Sequence, residues 1–205
     1  FYWLNQKNKD LYIASCDCTG HGVPGALVSI VCNAALNRSI KEFSLNKPGE
    51  ILDKTRDLVV TEFEKSEDEV SDGMDIALIK LNGNRLYFSG ANNPLWVVRN
   101  NGDVVEDIKG CKQSIGLSNN PVPFVTHEVE LSSGDCVYLF TDGYADQFGG
   151  PKGKKYKTRA FKKLLQSACK EPIYQQKKII EKTLNDWKGK LEQVDDICVI
   201  GLKIN

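Results

Sequence analysis

The sequence predicts an α+β fold in which antiparallel sheets are covered by helices packed outside them. Strand patterns and helix patterns occur in separate groups along the chain, which favours antiparallel sheets over a doubly wound parallel sheet. Asn82-Gly83-Asn84 separates two strand-like runs, a strong short-range signal of a β-hairpin. The chain of 205 residues is 41% hydrophobic and 26% charged, so it can bury a substantial core.

The first part of the chain is predicted to contain one strand followed by two helices. Residues 11–16 are apolar and rich in strand formers, and this strand ends at Asp17 because a glycine-rich turn follows. Apolar residues recur at helical spacing over residues 24–43, and Pro24 suits a first helical turn. This helix is apolar nearly all round, so we expect it to be buried. Residues 48–65 have the amphipathic pattern of a second helix.

The rest of the chain is predicted to supply most of the strands and two charged helices. The glycine- and lysine-rich residues 149–155 are expected to form a flexible basic loop. We expect the helices at residues 158–168 and 172–187. The strands are expected at residues 75–81, 85–89, 94–99, 124–131, 135–140 and 197–204.

Charge and cysteine content exclude several classes of protein. The 27 basic residues equal the 27 acidic residues in number, so the chain lacks the positive charge of a nucleic-acid binder, and we expect no nucleic-acid partner. The seven cysteines form no CxxC pair and lie mostly in apolar runs, which predicts reduced, buried thiols in a reducing compartment. No run reaches the about 20 apolar residues of a membrane-spanning helix. We therefore expect this domain to be cytoplasmic, which leaves open a membrane attachment elsewhere in a longer protein.

The start of the chain is unusual for a natural protein. Three large apolar residues, Phe1, Tyr2 and Trp3, open the sequence without an initiator Met. We therefore expect a C-terminal fragment of a longer protein, truncated at its N-terminal strand.

Three acidic motifs lie where an apolar strand meets a loop. Asp17 ends the first predicted strand, Asp142 follows the strand at residues 135–140, and Asp195-Asp196 precede the last strand. If the strand ends meet, three or four carboxylates converge, and such like charge is tolerated only when cations neutralise it. Hard oxygen ligands suit Mg²⁺ or Mn²⁺. Each motif alone is also typical of a turn or a helix cap, so both interpretations stay open.

Several motifs occur in order along essentially the whole chain, at residues 17–26, 72–75, 90–94, 134–135, 140–155 and 194–198. Together they resemble the SpoIIE/RsbU-like branch of the PPM metal-dependent protein serine/threonine phosphatases. The resemblance implies an αββα four-layer sandwich of two antiparallel sheets flanked by helices. It also implies that residues 1–205 are the catalytic domain of a bacterial sensor phosphatase, with two Mn²⁺ or Mg²⁺ ions in the complete active site.

The resemblance also assigns site residues. Asp17 matches the bridging metal ligand, the backbone carbonyl of Cys18 a main-chain ligand, and Asp142 and Asp195 the remaining carboxylate ligands. In that family, paired cations lower the pKa of a bridging water, so the three aspartates act in catalysis through a metal-activated water. Asp196 is then a supporting residue behind the ligands.

Three other features have roles that the sequence leaves open. His21 is a candidate general acid toward the leaving oxygen, or a residue that orders its loop. Asp75 starts a predicted strand, where it either reaches the cleft or a third cation or serves as a turn carboxylate. The lysines of residues 152–155 either contact an acidic, phosphorylated substrate or are solvated. No residue is assigned to substrate binding.

The resemblance implies partners as well. The substrate would be a phosphorylated protein, typically a STAS-domain anti-sigma-factor antagonist in a partner-switching circuit, and a sensor domain would precede this one in the same chain. The apolar helix and the amphipathic helix after it could form a regulatory or homodimer surface, although a role in the core alone is the simpler expectation.

One departure from the family pattern bears on metal binding. The pattern has another metal-ligating Asp directly before the residues with which this chain begins. We therefore expect weak or partial metal binding and low activity. Two other functions stay open, a catalytically inactive phosphoprotein-binding module of the same fold and a small-molecule phosphoesterase that uses the same cations.

Overall fold

The computed structural model describes residues 1–20, 22–64, 72–99 and 102–205. Two antiparallel sheets flanked by helices make up the fold, which confirms the predicted fold class. In chain order the elements are β1 (Tyr2–Lys7), β2 (Asp10–Cys18), α1 (Gly22–Lys41), α2 (Pro48–Phe63), β3 (Met74–Asn82), β4 (Arg85–Ala91), β5 (Leu95–Arg99), β6 (Val104–Ile108), β7 (His127–Glu130), β8 (Cys136–Phe140), α3 (Gly143–Asp146), β9 (Phe148–Gly149), β10 (Lys154–Lys155), α4 (Thr158–Ala168), α5 (Ile173–Lys188) and β11 (Val199–Lys203).

The chain divides into two compact units. The first unit comprises residues 1–95 and 109–130, and the second comprises residues 96–108 and 131–205. The assignment of residues 1–205 to one catalytic domain stays a prediction.

The first unit is built on a five-stranded sheet with the strand order β1-β2-β3-β4-β7. Its strands pair antiparallel throughout. Side chains alternate between the faces of a strand, so every second residue of β2 and β3 contributes to the same core. That core joins Ala14 and Cys16 of β2 and Ile76 and Leu78 of β3 to the helices, which supply Val28, Cys32, Leu36, Ile51 and Leu52.

Helix α1 is buried on one side only. Its Val28, Cys32, Ala35 and Leu36 are buried against the sheet and α2. The opposite side carries an apolar stripe whose members are widely exposed, so the prediction of a helix buried all round was wrong. By length and composition α1 would also suit a membrane span, a criterion that core helices meet as well. The stripe consists of Val23, Leu27 and Ile30, which are 75%, 60% and 64% exposed.

The second unit is built on a four-stranded sheet with the order β11-β8-β5-β6, in which β8 pairs antiparallel with both β5 and β11. Its core is aromatic. The Trp96 and Phe140 ring centroids lie 4.3 Å apart, and the Tyr144 and Phe161 rings stack at the same separation. Because Phe161 belongs to α4, these contacts hold that helix against the sheet.

The basic segment expected to be a flexible loop contains a short hairpin. Strands β9 and β10 pair antiparallel, with Lys155 opposite Phe148. A Cβ at Gly149 would lie 2.0 Å from the backbone oxygen of Trp187, so only glycine lets the hairpin approach the end of α5 this closely. The prediction of a loose segment over residues 149–155 was therefore wrong for these paired positions.

Candidate functional site

Two predicted site residues of the first unit face each other across a strand pair. Asp17 of β2 lies directly opposite Asp75 of β3 in the antiparallel register. Residues in such positions have Cβ atoms about 4.5–5.5 Å apart, and like charges there repel. Asp75 is thus a strand residue beside Asp17 and not a turn carboxylate. A cation between the two side chains would relieve their repulsion.

Neutral hydrogen-bond donors hold the Asp75 carboxylate. Its Oδ1 accepts a 2.6 Å hydrogen bond from the Ser114 hydroxyl and a 2.9 Å bond from the Asn92 side-chain amide. The same Asn92 amide nitrogen lies 3.0 Å from the Ser114 hydroxyl oxygen. Asn92 adopts a left-handed backbone conformation with a φ of 55°, which asparagine tolerates better than most residues. The carboxylate is therefore oriented by groups that carry no charge.

A loop that follows Gly110 closes over this acidic pair. Met74 and Ile115 exchange two backbone hydrogen bonds of 3.0 and 2.8 Å. A Cβ at Gly73 would lie 2.1 Å from the Ile115 backbone oxygen, so the close contact requires glycine. The result is a cavity of 390 Å³ lined by Asp17, Cys18, Thr19, Gly73, Met74, Asp75, Lys112, Gln113, Ser114, Gly116, Leu117 and Ser118.

Cys18, whose carbonyl was predicted as a metal ligand, is the last residue of β2 and lines the same cavity. Its side chain packs against the buried core that includes Cys32 of α1. The neighbouring Cys32 thiol is the main reason that the pKa of the Cys18 thiol is lowered, and Cys18 in turn raises the pKa of Cys32. The end of β2 therefore packs against α1.

In the second unit, backbone and hydroxyl contacts join the regions of the two later acidic motifs. The Thr141 hydroxyl donates a 3.0 Å hydrogen bond to the Asp196 carbonyl and accepts a 2.9 Å bond from the Cys198 amide. The Thr141 amide donates to the Cys198 carbonyl at 3.0 Å. Asp142 directly follows Thr141, and Asp195 directly precedes Asp196. Both aspartates are therefore held in the same region of this unit.

The residues beside the two aspartates fit this arrangement. A Cβ at Gly143 would lie 2.5 Å from the Asp196 backbone oxygen, so the glycine after Asp142 permits the contact. The Asp196 amide donates a 2.7 Å hydrogen bond to Oδ1 of Asp195, which orients that carboxylate. Asp196 thus contributes its carbonyl and its amide to these contacts, and its role behind the metal ligands stays a prediction.

One lysine lies among the carboxylates of the second unit. The Lys155 ammonium donates a 2.6 Å hydrogen bond to Asp146. This bond is the main reason that the pKa of Lys155 is raised, and Asp142 and Asp195 raise it further. Lys155 is exposed and pairs with Asp146, and the role of the basic segment toward a substrate stays a prediction.

The structure thus groups the predicted residues in two sets, Asp17 with Cys18 and Asp75, and Asp142 with Asp195 and Asp196. His21 lies outside the described residues. Among residues 1–20, 22–64, 72–99 and 102–205, no three His, Cys, Asp or Glu side chains form a group that could hold a metal ion. The chemistry of the donors nevertheless fits Mg²⁺ or Mn²⁺, since the ligands predicted are carboxylate and carbonyl oxygens.

Sequence reasoning missed three residues of these sets, Asn92, Ser114 and Asp146. The turn-forming sequence before Pro94 marks Asn92 as a loop residue but gives no link to Asp75. Ser114 has no local signal, because only the backbone pairing of Met74 with Ile115 brings it to the acidic pair. Asp146 follows Asp142 by one helical turn, a spacing that could have indicated their proximity.

Comparisons with known proteins agree with the motifs. The family model Stage II sporulation protein E (SpoIIE) matches residues 7–205. The SiaA-PP2C domain of Pseudomonas aeruginosa is 29% identical, with a TM-score of 0.88 over 100% of this chain and 80% of that chain. No match is found among the curated proteins.

Two more distant structures share the fold. The SpoIIE phosphatase domain from Bacillus subtilis, solved with a fragment of its regulatory domain, is 16% identical, with a TM-score of 0.76 over 100% of this chain and 56% of that chain. The RsbU and RsbW domains of Rv1364c from Mycobacterium tuberculosis are 18% identical, with a TM-score of 0.73 over 98% of this chain and 54% of that chain. This chain therefore spans little more than half of these two chains. With the family match over residues 7–205, it belongs to the SpoIIE family of PP2C-like protein phosphatases.

Proposed function

We propose that this chain is a metal-dependent phosphatase that hydrolyses phosphoserine or phosphothreonine on a protein partner. The observation that carries the proposal is the junction at Thr141, which holds the segments of Asp142 and Asp195 together. Both aspartates match carboxylate ligands of the family to which the chain belongs. If Asp142 and Asp195 were only turn or helix-cap residues, these hydrogen bonds between their two segments would not be needed.

The proposed ligands of two Mn²⁺ or Mg²⁺ ions are Asp17, the Cys18 carbonyl, Asp142 and Asp195. When bound, the ions supply a hydroxide at neutral pH and neutralise the phosphoryl oxygens of the substrate. The chain's own residues hold and orient these ligands. Asp196 does so through its amide bond to the Asp195 carboxylate. His21 is the proposed proton donor to the leaving serine or threonine oxygen.

We propose a phosphorylated STAS-domain protein as the substrate, in a bacterial partner-switching circuit controlled by a sensor region of the same protein. Support comes from the similar structures, which include the SpoIIE phosphatase domain with a fragment of its regulatory domain and the linked RsbU and RsbW domains. A cytoplasmic location of this domain follows from such a partner.

The test is hydrolysis of a phosphoserine peptide from a STAS-domain protein by the 205-residue chain. We expect release of phosphate that needs Mn²⁺ and stops on addition of a chelator. Asp142→Asn and Asp195→Asn should each lower kcat/KM about a hundredfold or more, because each removes a charged ligand of the ions that activate the water. The folded state should persist, as followed by circular dichroism.

Asp103→Asn is the matched control, since Asp103 is an exposed aspartate of the same unit. It should keep wild-type activity. Binding of the phosphopeptide without turnover would instead identify a catalytically inactive module. Hydrolysis of small phosphate esters alone would identify a small-molecule phosphoesterase.

A further inference from the structure

The cavity beside the acidic pair of the first unit also contains a positive charge. Of the lining residues that the structure describes, Asp17 and Asp75 are the acidic ones and Lys112 is the basic one. The lysine belongs to the loop that follows Gly110, in the same unit as both aspartates. Because Lys112 is exposed, its charge is accessible to a molecule that enters the cavity.

Backbone and side-chain hydrogen bonds fix the turn on which Lys112 lies. The Gln113 amide donates a 2.9 Å bond to the Cys111 carbonyl, which closes a three-residue turn centred on Lys112. The Cys111 amide donates a 2.8 Å bond to the Gly90 carbonyl of β4. The Gln113 side-chain amide donates a 2.7 Å bond to the Val122 carbonyl. The lysine is therefore carried by a turn that is anchored on both sides.

The same turn is connected to the Asp75 carboxylate. The backbone amide of Asn92 donates a 2.8 Å bond to the Cys111 carbonyl, and the side-chain amide of Asn92 donates to Asp75. Ser114, two residues after Lys112, donates to the same carboxylate. Residues on both sides of Lys112 are thus linked to Asp75, and these links keep the lysine beside the acidic pair.

The charges that line this cavity suit a phosphoryl group. The carboxylates of Asp17 and Asp75 are groups that attract Mg²⁺ or Mn²⁺, whereas the ammonium of Lys112 repels such cations. An ammonium binds phosphate oxygens well, because it combines a full positive charge with three N–H donors. The volume of 390 Å³ lies in the usual range of about 300–1,000 Å³ for small-ligand sites, so it can hold a phosphorylated side chain.

We propose that Lys112 binds the phosphoryl group of the substrate through its ammonium. The identity of this anion as a substrate rests on the proposed function, whereas the affinity of the lysine for phosphate does not. The residue acts by binding alone, since no bond is made or broken at its nitrogen. The proposal adds a substrate-binding residue to a site for which the sequence assigned none.

The kinetic test compares Lys112→Met with the wild type on the phosphoserine peptide. Methionine removes the charge and keeps a long unbranched side chain. We expect KM to rise about tenfold and kcat to change less than about threefold, because the contact is made with the bound substrate and with the transition state alike. Inhibition by inorganic phosphate should weaken by a similar factor, and Lys112→Arg should recover most of the affinity.

Lys109→Met is the matched control. Lys109 is an exposed lysine of the same unit, three residues before Lys112, and it does not line the cavity. It should keep the wild-type KM and kcat. The Mn²⁺ affinity of Lys112→Met should not fall, which separates loss of phosphate binding from damage to the metal ligands.

A labelling experiment gives a readout that needs no turnover. The 205-residue chain is treated with an amine-reactive acetylating reagent in the presence of Mg²⁺, with and without inorganic phosphate, and its peptides are mapped by mass spectrometry. We expect phosphate to slow acetylation of Lys112 at least threefold and to leave that of Lys109 unchanged.

Three results would overturn the proposal. The first is an unchanged KM and phosphate inhibition in Lys112→Met, and the second is a fall in Mn²⁺ affinity that accounts for its rise in KM. The third is acetylation of Lys112 that phosphate does not slow. If the wild-type chain hydrolyses no phosphopeptide, the proposed function fails, and the labelling still decides whether Lys112 binds phosphate.

Discussion

The acidic residues of the two units are held in different ways. In the first unit, strand register places Asp17 opposite Asp75, and neutral donors orient the Asp75 carboxylate. In the second unit, Asp142 and Asp195 lie on loops, and both raise the pKa of the nearby Lys155. The first set therefore depends on backbone pairing and neutral hydrogen bonds, whereas the second also depends on charge. Substitutions that disturb the backbone should affect both sets, and substitutions of charge should affect the second.

The largest expected effect comes from the two glycines that permit close backbone contacts. Gly73→Ala would place a Cβ 2.1 Å from the Ile115 oxygen, and Gly143→Ala would place one 2.5 Å from the Asp196 oxygen. We expect each to lower the free energy of unfolding by about 1–3 kcal/mol, the cost of overpacking, with Gly73→Ala the more severe. Urea unfolding measures both, and the exposed Ser118→Ala should stay within about 0.5 kcal/mol of the wild type. If both glycine variants were as stable as the wild type, the backbone at these two contacts could shift at little cost.

Asn92→Gly tests the neutral support of the first set. Glycine keeps the left-handed backbone of Asn92, so the substitution removes the side-chain amide without adding strain. We expect a loss of about 1 kcal/mol in stability and about tenfold in Mn²⁺ affinity, because Asp75 loses one of its hydrogen-bond donors beside the proposed ligand Asp17. Asn8→Gly is a matched control, since Asn8 is an exposed asparagine with a φ of 57°. Equal Mn²⁺ affinity of both variants in calorimetry would mean that Asp75 is not involved.

Lys155→Met tests the lysine that lies near the carboxylates of the second set. Removing the ammonium leaves more negative charge around Asp142 and Asp195, so Mn²⁺ affinity should rise about two- to fivefold, a modest change because the lysine is exposed. Lys154→Met, on the same short strand, should change little. A fall in affinity with Lys155→Met would show that the lysine supports the site instead of competing with the ion.

A further comparison of the two units concerns stability at high pH. Burial raises the pKa of Tyr12 to about 12 and raises that of Tyr138 and Tyr144 further. In the unfolded chain these phenols ionise near pH 10. The unfolded chain therefore loses protons above pH 10 that the folded chain keeps, so stability falls as the pH rises.

Each such tyrosine should lower the ratio of folded to unfolded protein by up to about tenfold per pH unit. The second unit holds two of these residues and the first unit one. Each substitution of a buried tyrosine by phenylalanine should make the fall of stability with pH less steep. The effect of Tyr12→Phe should end near pH 12, where Tyr12 ionises in the folded chain, whereas the effect of Tyr138→Phe should continue to higher pH. Tyr174→Phe, at an exposed tyrosine of α5, is the matched control. Unfolding curves at several pH values between 9 and about 12 would measure the slopes, and identical slopes for all variants would contradict the assignment.

Elements with strong local signals were predictable. Helix α4 spans Thr158–Ala168 as its periodicity predicts, and the Asn82-Gly83 turn joins β3 to β4 with Asn82 opposite Arg85. Short elements were missed, because contacts distant in sequence form them. Strand β9, for example, depends on the approach of Gly149 to Trp187. The exposure of Leu27 was missed because apolar periodicity alone does not say which faces of a helix are covered.

The site was predictable in its residue types and less so in its arrangement. The motifs around Asp17, Asp142 and Asp195 identify candidate ligands from the family resemblance. The pairing of Asp17 with Asp75 was not predictable, since two helices separate the strands and register is set by the whole sheet. The orienting role of Ser114 depends on a backbone contact of its neighbour Ile115 and has no sequence signal.

The most direct test of metal binding by these carboxylates is a calorimetric titration of the chain with Mn²⁺, using the wild type, Asp17→Asn and Asp142→Asn. We expect weak but measurable Mn²⁺ binding by the wild-type chain. Each variant should bind Mn²⁺ at least about tenfold more weakly, because each lacks one of the proposed charged ligands. Wild-type stoichiometry and affinity in both variants would contradict the claim that these carboxylates bind the catalytic ions.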